Sequence, residues 1–216
     1  MLLNYLQGFY SPTDLVIVSI VMIFALMVHN VTQAWVASKY GDASPRFAGF
    51  LNLDPQQHLE PMGVALLFIL GFGWPKQVPV NSRNYSGRGR SEALVWYSGP
   101  LAYLAVAFAC VVIGFVFATL GSPPLFRSFG LAASVAILHA VINLFPVFPL
   151  DGAKAALAWG NADVRRLVQQ IASFGLLGFI IVFMLLGALG ITSGLQRFFF
   201  NLFVNIVASI AGLFGL

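Results

Sequence analysis

Phe24-Ala-Leu-Met-Val-His29-Asn30-Val-Thr-Gln33-Ala-Trp35 lies deep in the first apolar run of the chain, which Asp14 and Lys39 bracket. His29 and Gln33 are four residues apart, so on a helix they share one face, with Asn30 beside them. Polar side chains inside a membrane helix face protein or water rather than lipid, which makes this cluster a candidate functional site. The spacing copies His-Glu-x-x-His, in which two imidazoles on one helical face bind zinc and the Glu acts as general base. Here Asn30 stands at the Glu position and Gln33 at the second His.

The surrounding composition sets the class. Of 216 residues, 59% are apolar and only 8% charged, against about 25% charged in an ordinary soluble domain. Several apolar runs approach or exceed the roughly 20 residues that cross a bilayer. The chain reads as an all-α polytopic membrane protein forming a single membrane domain over 1–216, with a core over 14–155 and C-terminal helices over 156–216. The net charge of +4 sits in loops, so it speaks to orientation and lipid, not to nucleic acid. Cys110, alone within an apolar run, suggests neither a disulfide nor a metal cluster. Residues 1–13 hold no Lys or Arg, so no signal peptide is expected.

Outward from the first run, the pattern predicts a span over about 14–38 with Trp35 and Tyr40 at the interface. Arg46–Leu53 reads as short extended structure, and the apolar stretch 62–72 is too short to cross, which suits a re-entrant segment. The basic loops 39–60 and 75–92 then fall on one side, the cytoplasmic one. A second span is expected over 93–120, broken at Gly99-Pro100, and a third begins at Leu131. The third stops at Asn143-Leu-Phe-Pro146-Val-Phe-Pro149-Leu-Asp151-Gly152, where two prolines three apart forbid helix. A fourth span is expected over 168–190, and 198–216 is either a fifth span or an interfacial helix. The first and third spans run the same way. His29, ten residues before Lys39, lies about 15 Å up its helix, where the unwound segment can bring Asp151 level with it.

The chain resembles the site-2 protease family of intramembrane zinc metalloproteases, in its small bacterial form without appended domains. The likeness covers roughly residues 20–155. Beyond the His29 helix it rests on Gly41-Asp42, on Asp54-Pro55 followed by His58-Leu-Glu-Pro-Met-Gly63, and on Gly73-Trp-Pro-Lys76 with Val78-Pro-Val-Asn81 and Arg83-Asn84. Ser98-Gly-Pro-Leu101 and the Asn143–Gly152 segment complete it. The resemblance implies a multi-pass protein of the bacterial plasma membrane with a site-2 protease-like core. It maps the zinc ligands onto His29, Gln33 and Asp151, the general base onto Asn30, and substrate contacts onto Tyr103 and Asn143.

The departures fall on the chemistry. A Gln amide oxygen is a poor zinc ligand, leaving two good ligands where catalytic sites use three. An Asn cannot take a proton from a zinc-bound water, a contribution worth roughly 10² to 10⁴ in rate. Tyr103 replaces an Asn that the family often carries. The expectation is a proteolytically inactive protein without a cofactor that binds a transmembrane segment or membrane-protein partner. The rival is an active zinc protease that tolerates Asn30 and Gln33 or recruits Glu60 or Glu92 as base. For His29, a hydrogen-bonded helix-interior role competes with ligation. Asp151 can bind metal, be protonated, pair with His29 or cap local N–H groups, with the last two favoured. His58 and His139 read as structural, and the Arg83–Arg90 stretch as a solvated loop near anionic lipid.

Overall fold

A computed structural model describes residues 1–213. Ser11 starts the first long helix with a reciprocal cap: its hydroxyl accepts from Asp14 N–H, and its own N–H donates to the Asp14 carboxylate. A short α1 (Leu2–Leu6) precedes this helix, α2 (Pro12–Lys39), which ends on Lys39, a charge suited to the negative end of the helix dipole. Next come α3 (Ser44–Phe47), α4 (Pro55–His58), α5 (Pro61–Leu70), α6 (Arg88–Thr119) and α7 (Pro123–Leu144). The chain closes with α8 (Asp151–Trp159), α9 (Ala162–Ser173), α10 (Gly175–Ala188) and α11 (Ile191–Leu213).

Helices α2, α6, α7 and α11 are long and apolar enough to cross a membrane, which makes this an all-α multi-pass membrane protein. The first three pack against one another. Lipid is as apolar as leucine, so close packing rather than hydrophobicity holds such helices together. Ala25, Ala107, Ala132, Ala133, Ala136 and Ala140, all fully buried, let the backbones approach. At one end, Asp14 accepts from Ser128 Oγ at 2.7 Å and pairs with Arg127 at 3.0 Å, which ties the starts of α2 and α7 together. The two helices are therefore parallel, and their other ends face the site together.

Several features differ from the sequence expectation. Arg46–Leu53 is not extended: Pro45 opens the single turn α3 and bends follow. No strand occurs among the described residues; the one β contact is the isolated bridge Leu59–Pro75, at the start of the irregular stretch Pro75–Asn81. That bridge makes α5 and its return a hairpin whose two ends meet, in keeping with the re-entrant reading. Gly63 and Gly73 close it, since a Cβ on either would strike the backbone of the other arm. Pro100 does not break its helix; α6 runs through it and also begins earlier than the apolar pattern, at Arg88. The third span likewise starts earlier, at Pro123.

The fourth span is two helices. Ala162–Ser173 and Leu177–Ala188 meet at 111°. In α9 only Val168 is buried, against Ala153 and Ala156, and Arg165, Arg166 and Gln169 are exposed. A helix with that many exposed polar groups cannot cross lipid, which is why the break falls there. The last helix begins at Ile191, not 198; residues 214–216 of that expectation lie outside the described ones.

The two basic loops are clasped by Asp42, fully buried, which the sequence marks only as half of a Gly-Asp pair. It accepts from Asn81 N–H at 2.6 Å, Ser44 N–H at 3.0 Å and Asn84 Nδ2 at 3.1 Å. Burial pushes this carboxyl up, but the hydrogen bonds, the Asn81 N–H foremost, outweigh it and hold its pKa below the ordinary value. Asp42→Ala should therefore lower thermal stability in detergent at neutral pH by about 3 kcal/mol, because buried donors lose their acceptor. A depressed pKa contributes stability above the unfolded value, about 3.9, and loses it as pH falls through the lower folded one. The gap between wild type and variant should close in that acid window; a gap independent of pH would contradict this role.

Ser86 N–H also donates to Tyr40 O at 3.0 Å, so the loops flanking α2 and α6 are neighbours on one side. Single cysteines at Ser44→Cys and Ser86→Cys should both react with an impermeant thiol reagent applied from the cytoplasmic face only. Labelling from opposite faces would refute the shared side.

Candidate functional site

Gln33 and His29 lie one turn apart on the inward face of α2, and α6 crosses them at Gly99-Pro100. A Cβ at Gly99 would sit inside contact distance of both side chains, so only glycine admits the crossing. Pro100 has no N–H to give the carbonyl four residues back, that of Trp96. Gln33 supplies the missing donor: its Nε2 reaches Trp96 O at 3.3 Å. The same Nε2 donates to Asp151 Oδ2 at 2.8 Å. Both N–H groups of the amide are thus engaged.

Asp151 opens α8 directly after the unwound Phe145–Leu150 segment. Its Oδ2 is 3.1 Å from His29 Nε2, and its Oδ1 is 3.3 Å from Lys154 Nζ, one turn on in the same helix. Lys154 Nζ in turn stands 4.2 Å from the Trp96 ring centre, a cation–π distance. The carboxylate therefore faces three donors, two of them on α2. The expected local capping does not occur: Leu150 is the N-cap of α8, and no side chain caps it. Ionised and satisfied by this set, Asp151 escapes the cost of an unpaired buried charge.

The other candidates divide. Asn30, buried, donates to Lys76 O at 2.8 Å and so ties α2 to the return arm of the hairpin. Tyr103, given a substrate contact by the resemblance, is fully enclosed, with its ring 4.7 Å from that of His29. Asn143 does line the cavity, and its amide donates to His139 O. His139 lies behind Tyr103, accepting from Gly73 N–H through Nε2 and bonded to Val135 O through Nδ1. His58 is bonded to Asn52 O in the loop. Glu60 reaches the cavity, but its carboxylate caps α5 by accepting from Gly63 N–H. Glu92 is not among the cavity-lining residues. His29 Nδ1 and the Tyr103 hydroxyl are buried without a hydrogen-bond partner among the described residues.

His29, Asn30, Gln33, Asn143, Asp151 and Lys154 line one end of a cavity of about 490 Å³. Its walls are the hairpin segment Phe72–Val78, Pro149 and Leu150 of the unwound segment, and Phe179 of α10. Trp96, Lys154 and Phe179 were not legible as site residues. Lys154 alone left a signal, sitting three residues after Asp151 on a helix.

The geometry defines a class: an intramembrane protein with a polar helical face and an aspartate from an unwound segment meeting over a cleft. Over 186 residues, 81% of this chain and 83% of the relative, it is 31% identical to the Bacillus subtilis (strain 168) protein named "Putative zinc metalloprotease YwhC". It is 27% identical over 185 residues, 83% of this chain and 68% of the relative, to "Putative zinc metalloprotease Rip2" of Mycolicibacterium smegmatis. The Mycobacterium tuberculosis (strain ATCC 25618 / H37Rv) protein of the same name is 26% identical over 165 residues, covering 74% of this chain and 63% of the relative. No family model and no solved structure matches the chain significantly. The chain belongs to the site-2 protease family. These bacterial relatives agree with a multi-pass protein of the bacterial plasma membrane.

Against the zinc in those names, the residues of this site do not fit a catalytic ion. His29 and Asp151 are two strong donors, and no group of three His, Cys, Asp or Glu converges among the described residues. The third position is an amide whose N–H groups serve Asp151 and Trp96 and whose neutral oxygen is a poor ligand, and the Lys154 ammonium holds the carboxylate from its other side.

Gly99→Ala tests the crossing. The added methyl must push α2 from α6, so the variant should lose stability by about 2 kcal/mol or more. Gly121→Ala, at a turn with open space around it, controls for handling, although its positive φ carries a cost of its own, about 1 kcal/mol. Thermal unfolding in detergent reads both; a Gly99→Ala protein as stable as wild type would refute the close approach.

Proposed function

We propose that this chain keeps the cleft of its family without the hydrolytic chemistry, binding a transmembrane segment or membrane-protein partner that it does not cleave. One observation carries the reading: the Asp151 carboxylate is shared among His29, Gln33 and Lys154, side chains that satisfy it without an ion. Asn30 at the base position adds to it, because its amide is committed to Lys76 O and has no basic lone pair. The cleft itself suits an extended or partly unwound segment. Pro75–Asn81 is free of helix and pairs with neighbouring backbone at the single Leu59–Pro75 bridge, while Phe72, Trp74 and Phe179 give the cavity apolar walls. No further ligand or cofactor is needed for that role.

The rival, an active zinc protease, rests on the names of the relatives. Metal content and cleavage separate the two. Purified wild-type protein should hold well under one zinc per chain and leave a model transmembrane substrate intact. Asn30→Glu with Gln33→His should gain zinc. His29 Nε2 and Asp151 Oδ2 already stand 3.1 Å apart, close to the roughly 3.4 Å separating two ligands that bind one tetrahedral ion at about 2.1 Å. Little proteolysis should accompany it, because Lys154 and Tyr103 are unchanged. One tightly held zinc in wild type, with cleavage abolished by Asp151→Ala, would overturn the proposal.

A further inference from the structure

Helix α11 is anchored along the bundle at two heights. Gln196 Nε2 donates to the Ser134 carbonyl and hydroxyl at 2.8 and 2.9 Å, and Phe203 meets Phe108 of α6 edge to face at 5.5 Å. Further on, Val207 and Ala211 are buried on the same side. Between these contacts, and turned the opposite way, Asn201 and Asn205 are exposed. At 100° per residue they share one stripe with Ala208 and Gly212, also exposed. Ser134 and Phe108 lie well inside α7 and α6, so the two amides sit at membrane depth.

The other spans do not look like this. Outward positions of α2 are Val16, Ile20 and Phe24, and those of α6 include Leu101, Val112 and Val116. Lipid offers an amide no partner, and unlike Gln196, whose amide is held by Ser134, the Asn201 and Asn205 side chains bond to no other group among the described residues. Something that can hydrogen-bond must cover them.

We propose that this face of α11 is the contact between two copies of the chain in the membrane. A carboxamide carries donor and acceptor together, so two identical faces related by a twofold axis complete each other. From Asn201 to Gly212 the helix has no charged residue; Arg197, exposed one turn earlier on the same side, is the one charge of α11 and marks where the stripe begins. Ala208 and Gly212 let two backbones approach. The inference is independent of what occupies the cleft, because the cavity is lined by no residue of α11.

The test uses the full chain in native membranes, in a Cys110→Ala background with one cysteine introduced by Ala208→Cys. Mild oxidation should give a product of twice the chain mass. Adding Asn201→Leu and Asn205→Leu should abolish it while thermal unfolding shows the protein still folded. Val112→Cys, on the lipid face of α6, should give none. Absence of the dimer product, its survival in the Leu pair, equal yield from Val112→Cys, or a product carrying a different protein would each overturn the proposal.

Discussion

A carboxylate held among membrane helices needs donors close at hand, and the geometry around Asp151 follows from that need. An uncompensated charge there would cost several kcal/mol. The donors come from His29 and Gln33 on α2 and Lys154 on α8, so the two helices are fixed against each other through one side chain. The Lys154 ammonium is itself steadied over the Trp96 ring. Unwinding between Phe145 and Leu150 brings the aspartate to this place, and such backbone is tolerated at depth only where protein or a cavity covers it.

Gln33 links that carboxylate to a second constraint. Pro100 strips the Trp96 carbonyl of its helical partner, and Gly99 opens room for α2 to reach it. One amide with two N–H groups serves the carbonyl and the carboxylate together. A neutral imidazole carries a single N–H and could not do both. In this chain the residue at the second position of the metal motif is thus a joint between α2, α6 and α8. Asn30 works in parallel, holding the hairpin arm through Lys76 O, and Asp42 does the same for the loops below it.

Much of this was legible in the residues. Run lengths and the scarcity of charge identify a helical membrane protein, because a bilayer demands long apolar segments whatever their partners. The four-residue spacing of His29 and Gln33 places them on one face. Their parallel spans and the prolines at 146 and 149 bring Asp151 level with them. The expectations that failed relied on local breakers or on apolarity alone. Pro100 looked like an interruption, but α6 continues past it with a donor from another helix. The stretch 168–190 looked like a span, but its first part, the end of α9, is amphipathic and turns aside.

What the sequence determined by itself is therefore the class of protein, its membrane topology in outline, and which side chains share a helical face. These are set by periodicity and composition within single segments. Tertiary structure alone decided that Asp151 is satisfied by Lys154 and Gln33, that Tyr103 is sealed beneath His29, and that Asn201 and Asn205 turn away from the bundle. Each of these depends on how helices distant in the chain cross. A crossing is chosen by the fit of many small side chains at once, which no single stretch of residues encodes.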